Sequence, residues 1–351
     1  MDPQHHYWAE LQRIQTNLES DNIKWDIDTI STFTFMSANL SHFLPMLKLN
    51  TQKKIFSRAR TQQWLNAMDV TLFAGTYPWR IQGWNDFRKR LIVQPGIIAS
   101  FHFGAYQLIC YLMVKAKIPF ALLVAATVKD DWTTRNAVLL EALEEARAEG
   151  RFVLLDANSP AALRQLYSLP KQGFQILIFA DGLETVVGKD SPSLESISFL
   201  GQNIAVGRGV AQLAHTLQLP IYPMIAHRKN KSVQLETLPT MFSIANTDRR
   251  IFATAVLNKL FGWFATFVIR SPEQWTLWSH IHVLRGDEKL ALGVWYTQES
   301  DSFKDSAKYG IFKMGDYCYV LRKKDMKCFS ISKAEFETLA QQWYTDHTVI
   351  R

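Results

Sequence analysis

The sequence predicts an α/β fold: a mostly parallel central sheet flanked by helices over residues 91–289. A helical N-terminal region (1–90) precedes it and a small α+β C-terminal extension (290–351) follows. Three observations carry this expectation. Through the middle of the chain, short apolar runs alternate with longer amphipathic stretches, as in strand–helix units around a buried parallel sheet. The first 90 residues have spaced apolar positions and few glycines, as helices do. Beyond residue 290 the pattern becomes strand runs separated by turn residues, then one amphipathic stretch.

Taken in order, the N-terminal region carries Lys53, Lys54, Arg58 and Arg60, then Arg88, Lys89 and Arg90, which read as a solvated helix face. Ile97–Phe101 is the first strand, followed by a helix to about Lys115 and a strand over Phe120–Val124. Asn136–Glu149 has helical spacing and stops at Gly150, a C-terminal cap signal. Phe152–Leu155 is a strand, and Ser159 before Pro160 opens a helix to Leu166. Gln175–Phe179 is a strand, Val206–Leu217 a helix, and Ile221–Ala226 a strand. In the tail, Tyr309–Val320 and Lys327–Ile331 are extended, with turns at Gly315-Asp316 and Lys323-Lys324-Asp325. Ser332 with Glu335 has capping-box spacing for a last helix, Lys333–Trp343. A hairpin centred near Lys323 sets Cys318 opposite Cys328, as two free thiols rather than a bridge.

At 351 residues, 48% hydrophobic and 20% charged, the chain is a folded globular protein and neither disordered nor collagen-like. Lys+Arg 39 against Asp+Glu 32 gives +7, which suits an acidic partner. No zinc, glycine-rich phosphate or RNA-recognition motif accompanies that charge, so nucleic acid is not expected as a partner. The three cysteines have neither metal-ligand spacing nor the even count of a disulfide framework; no metal is expected and the compartment reads as cytoplasmic. The N-terminus shows no signal-peptide pattern. Phe101–Val128 and Ala253–Arg270 are the most apolar stretches, and both are interrupted by polar or charged residues short of the ~18 that a spanning helix needs. The expectation is a soluble protein, or one peripheral at the inner face of a membrane.

Chemistry is expected at Ser100-Phe101-His102-Phe103-Gly104-Ala105-Tyr106-Gln107, directly after a strand, because open α/β sheets bind ligands at the carboxyl ends of their strands. On one helix, five residues turn the chain by about 500°, so His102 and Gln107 meet only if the histidine precedes the helix and its ring folds back. On spacing alone, such a histidine reads as structural.

His102 followed by Gln107 resembles the motif of the lysophospholipid acyltransferase superfamily, in which His, four residues, then Asp or Glu does the catalysis. The middle of the chain resembles, more narrowly, the late acyltransferases of lipid A biosynthesis. Ile178-Phe179-Ala180-Asp181 is similar to that family's apolar strand ending in Asp, and Phe199-Leu200-Gly201 to its Phe-x-Gly step. Gly209–Ala214, Leu219–Pro223 and Arg228 are similar to the segment after it, and Ser271–His280 to its closing Pro-Glu-Gln-Trp element. The elements occur in family order over about residues 90 to 285. Gln107 departs from the pattern, since it stands where the family has a carboxylate, and the membrane-anchoring helix with which family members begin is not evident.

The resemblance implies an acyltransferase that takes its acyl group from an acyl-carrier-protein or coenzyme A thioester, as co-substrate rather than bound cofactor. His102 is then the general base and Gln107 its neighbour in the motif, while Arg208 and Arg228 hold phosphate or oxyanion. Asp181 or Glu184 positions His102 or the acceptor, or supplies the charge that Gln107 lacks. The acceptor is a hydroxyl or amine of a soluble or peripheral molecule, such as a peptide or natural-product intermediate. Two alternatives are a catalytically silent protein that binds the acyl group or its carrier, and a lipid A-type enzyme with a membrane acceptor. The apolar stretches Phe101–Val124 and Phe261–Val268 read either as acyl-pocket lining or as plain core. Outside the resemblance, the tail reads either as a packing extension or as a small peptide-binding module.

Overall fold

The computed structural model describes residues 23–74, 81–124, 137–157, 159–182, 194–229, 232–243, 247–284 and 305–344, with isolated positions 9, 12, 13, 16 and 303. The described residues of the N-terminal region are mostly helical, as expected. Helix α1 (Ile27–Phe43) starts at Asp26, whose side chain accepts a hydrogen bond from Thr29 N at 2.8 Å. Helices α2 (Leu49–Ala74) and α3 (Trp84–Val93) follow.

The central unit runs β1 (Ile97–Ser100), α4 (Tyr106–Lys115), β2 (Phe120–Val124), α5 (Ala137–Ala148), β3 (Phe152–Asp156), α6 (Pro160–Ser168) and β4 (Gln175–Phe179). It continues with β5 (Leu194–Phe199), β6 (Gln202–Gly207), α7 (Gly209–Leu217), β7 (Ile221–Lys229), β8 (Ser232–Thr237) and α8 (Arg249–Arg270). The main sheet has the order β3-β2-β4-β1-β7-β8, with all pairings parallel except β7–β8. The central strands β1 and β4 are buried along their whole length and apolar but for Ser100 and Gln175, because both faces are covered. Leu108 of α4 and Leu139 and Leu143 of α5 lie in the cluster on one face. Leu166 of α6, Val210 of α7 and Phe264 of α8 lie in the cluster on the other. The element after β1 thus covers one face and those after β4 the other, the kind of switch point at which open α/β sheets hold their ligands.

Three local expectations change, and one motif gains a structure. Val206 belongs to a strand, not a helix: Ile204 and Val206 point inward and Ala205 less so, a period of two, and α7 begins only at Gly209. The Phe199-Leu200-Gly201 step is the tip of the β5–β6 hairpin, where Leu200 and Gly201 have φ of 51° and 77°, the double positive φ of a tight primed turn. Strand β1 stops at Ser100 because Phe103 N donates to Phe101 O at 2.7 Å, a turn that breaks the ladder. Of the two apolar stretches, the second lies in α8, the one helix among the described residues long and apolar enough to cross a membrane, with 50% of its apolar window buried inside the fold.

The tail forms β9 (Tyr309–Met314), β10 (Tyr317–Arg322), β11 (Lys327–Ile331) and α9 (Lys333–Tyr344). The capping box is realised: Glu335 N donates to Ser332 Oγ at 3.2 Å and Ser332 N to Glu335 Oε2 at 2.8 Å. The cysteine pairing is not. The register sets Arg322 opposite Lys327, so Cys318 faces Ile331 and Cys328 faces Leu321. The loop spans Lys323–Met326, and this shift puts the two sulfurs in different core clusters. All three cysteines are free and buried. This sheet packs on α1, where Thr34 Oγ1 donates to Ile311 O at 2.7 Å and Ile311, Phe336 and Trp343 join the core around Phe33. The boundary placed between residues 289 and 290 falls outside the described residues.

Candidate functional site

Strands β1 and β4 are paired in parallel with Ser100 opposite Phe179, so the residues that leave them emerge side by side at one edge. Those residues include His102 and Asp181. The imidazole Nδ1 lies 2.9 Å from Asp181 Oδ1, and the backbone N–H of His102 donates to both carboxylate oxygens at 3.1 and 3.0 Å. The indole Nε1–H of Trp275 donates to Asp181 Oδ2 at 2.8 Å. A carboxylate only accepts, so its contact assigns the proton to Nδ1 and leaves the Nε2 lone pair available. Asp181 is buried, at 1% exposure, while the His102 side chain keeps 24% of its surface open. Phe179 and Tyr106 flank the ring, with centroids at 4.6 and 5.2 Å.

The backbone of this turn is held as firmly as the side chains. Thr276 donates to His102 O from both its N–H and its Oγ1, each at 3.1 Å, and Gly104 N donates to Gln274 O at 2.9 Å. Gly104 has φ of 59°, and a Cβ there would sit 2.4 Å from Ala226 O and 2.9 Å from Gln274 Oε1. Only glycine fits without displacement. Two ionisable neighbours are displaced from their ordinary values. Burial raises the Glu273 carboxyl, with Arg58 opposing. Burial lowers the His227 imidazole, against the pull of Glu236 at 3.0 Å.

His102 precedes α4, as the spacing argument required; its ring meets Asp181 and lies against Tyr106 at the start of the helix. Gln107 occupies the first turn of α4, half-buried. Glu184 lies outside the described residues. Arg208 caps α7, with Nε 3.8 Å from Glu195 Oε2, and Glu195 also receives Thr254 Oγ1 at 2.7 Å. No described contact joins Arg208 to His102 or Asp181.

Arg228 departs from the expected role of holding phosphate or oxyanion. Its guanidinium points into α2, where it pairs with Asp69, donates to Gln62 Oε1 at 2.6 Å and to Asn66 Oδ1 at 3.1 Å. Buried acceptors thus take both terminal nitrogens of this guanidinium. Asp69 is the single acidic residue of α2, a signal in the sequence that had no assigned partner. The Phe101, Phe199, Phe261, Phe264 and Trp275 rings pack on one another, Phe101 and Phe264 at 3.9 Å, so these parts of the two apolar stretches are core.

Sequence reasoning did not foresee the roles of Gln274, Trp275 and Thr276. In the sequence the Pro-Glu-Gln-Trp element carries a resemblance alone. The available clue was chemical: a buried indole N–H needs an acceptor. A cavity of 430 Å³ lined by Gln94, Pro95, Tyr167, Pro170, Lys171, Thr216, Leu217 and Leu219 lies at the opposite edge, where strands begin. It plays no part in this site. The chain matches no model of a known protein family, and no curated protein matches it.

Proposed function

We propose that the protein is an acyltransferase in which His102 acts as general base from Nε2 and Asp181 holds and charges its other nitrogen. The observation that carries this reading is the His102–Asp181 pair at the carboxyl edge of the sheet, half-open on the imidazole side and closed on the carboxylate side. The resemblance to lipid A-type acyltransferases left one gap, the missing carboxylate at Gln107. A buried Asp181 on Nδ1 fills it, because a carboxylate stabilises the imidazolium that an amide cannot.

In the proposed reaction the acceptor O–H or N–H gives its proton to Nε2 as its heteroatom bonds to the carbonyl carbon of an acyl-carrier-protein or coenzyme A thioester. The tetrahedral intermediate then collapses, the C–S bond breaks, and the thiol leaves with the proton returned from the imidazolium. The acceptor is a soluble or peripheral molecule, and the site of action is cytoplasmic. Incubation with a panel of acyl thioesters, following free thiol, tests the proposal. Release by the wild type that His102→Ala abolishes supports it; equal release by both proteins ends it. Acyl binding with no turnover selects the silent binding protein instead.

A further inference from the structure

Gln274 is buried at 4% exposure and makes three bonds that converge on the site from outside it. Its side-chain amide clamps β7 at two points. Arg228 N donates to Gln274 Oε1 at 2.8 Å, and Gln274 Nε2 donates to Arg228 O at 2.8 Å. Its own carbonyl receives Gly104 N at 2.9 Å. The next two residues continue the chain of contacts: Trp275 Nε1 to the Asp181 carboxylate, and Thr276 to His102 O. Beyond Arg228 the clamp is anchored, since that residue's guanidinium is fixed to Asp69, Gln62 and Asn66 of α2.

From this juxtaposition we infer that Gln274 is a positioning residue, which sets the pose of His102 against Asp181 by pinning the Gln274-Trp275-Thr276 strip to β7. It touches neither the imidazole nor the carboxylate. The physical reason is pre-organisation: a group fixed within fractions of an ångström at no cost during the reaction retains rate that a displaced group loses. Arg228 acts from one layer further out, through the main-chain N–H and C=O that the Gln274 amide grips. The kinetic part of this inference rests on the acyl-transfer reading of His102; the structural part does not.

The experiment compares wild type, Gln274→Met, which keeps length and loses both side-chain bonds, and Gln274→Glu, which as a carboxylate keeps the acceptor for Arg228 N and loses the donor to Arg228 O. Circular dichroism and thermal melting establish folding. Proton NMR then follows the far-downfield Nδ1–H resonance of the His102–Asp181 bond, assigned by its absence in His102→Ala. The expected result is a resonance weakened in Gln274→Glu and lost or broadened in Gln274→Met. In thioester turnover, kcat falls about tenfold or more with KM nearly constant, in keeping with the cost of a small misplacement. Folded variants that keep the wild-type resonance overturn the inference, whatever their activity. If His102→Ala retains full turnover, the acyl-transfer reading falls, and the resonance still decides the role of Gln274.

Discussion

His102 Nδ1 and Asp181 Oδ1 meet at 2.9 Å across the ends of two adjacent parallel strands, 79 residues apart in the chain. Because the strands pair in register to Ser100 and Phe179, two residues of further travel on each bring an imidazole and a carboxylate together at the same sheet edge. The contact decides which of the two residues near His102, Gln107 or Asp181, is expected to matter.

Asp181→Asn is expected to lower thioester turnover severely. In a serine protease triad the same acid-to-amide change costs about 10⁴ in rate, because the amide selects the wrong tautomer and carries no charge. Gln107→Glu is expected to leave turnover within a few-fold, since the carboxylate on Nδ1 is already present. A steep loss in Asp181→Asn beside a flat response in Gln107→Glu checks both, and the reverse pattern rejects the dyad.

Trp275→Phe keeps the ring in the aromatic cluster and deletes the donor to Asp181 Oδ2. A buried carboxylate that loses one partner destabilises the fold by about 1–3 kcal/mol. Urea unfolding measures this, and a change near zero shows that the indole bond does not hold Asp181.

The Arg228–Asp69 pair is buried on both sides. Removing one partner leaves a buried charge without its counter-ion, so Arg228→Met and Asp69→Leu are each expected to cost about 3–5 kcal/mol, and the double variant Arg228→Met/Asp69→Leu less than the sum. Chemical denaturation of the four proteins supplies the cycle; additive losses contradict a coupled pair.

Gly104→Ala is expected to destabilise by more than about 1 kcal/mol, since a Cβ at positive φ strains the backbone and meets Ala226 O. Thermal melting reads the cost. A substitution tolerated without loss rejects the close approach of this turn to β7.

Lys323 is buried at 3% exposure, and its ammonium donates to Ser306 O at 2.7 Å. Burial pushes its pKa down to about 7, with Asp305 opposing and Lys53 adding to the drop. Between about pH 7 and the ordinary lysine value the unfolded chain holds a proton that the folded chain has released, so stability rises with pH across that window. Below it both states are protonated and the cost of burying the charge is complete. The unfolding free energy of wild type relative to Lys323→Met is therefore expected to improve from about pH 7 to about pH 10. A difference independent of pH rejects the displaced ammonium.

Local periodicity determined much of the architecture. The strands Phe120–Val124, Gln175–Phe179 and Lys327–Ile331 are found where the sequence placed them, and the Ser332–Glu335 box forms as its spacing demands. These features depend on side chains a few residues apart, whose preferences act within one element. Val206 reads as the start of a helix in the sequence but belongs to β6, because only Arg208 separates that strand from the apolar helix α7 and the two patterns merge. The Cys318–Cys328 register was misread because the loop length, not the turn composition, sets which residues face each other.

The sequence by itself determined the alternation of elements, the junction at which His102 stands and the fully apolar strands that must lie inside a sheet. Tertiary structure decided which groups meet there: that Asp181 takes Nδ1, that Trp275, 94 residues beyond it, takes the other carboxylate oxygen, and that Arg228 turns away toward Asp69. Strand order selects these neighbours, and strand order follows from how all the apolar faces are buried together. No stretch of a few residues carries that information, since the partners are joined by hydrogen bonds between segments that propensity treats as independent.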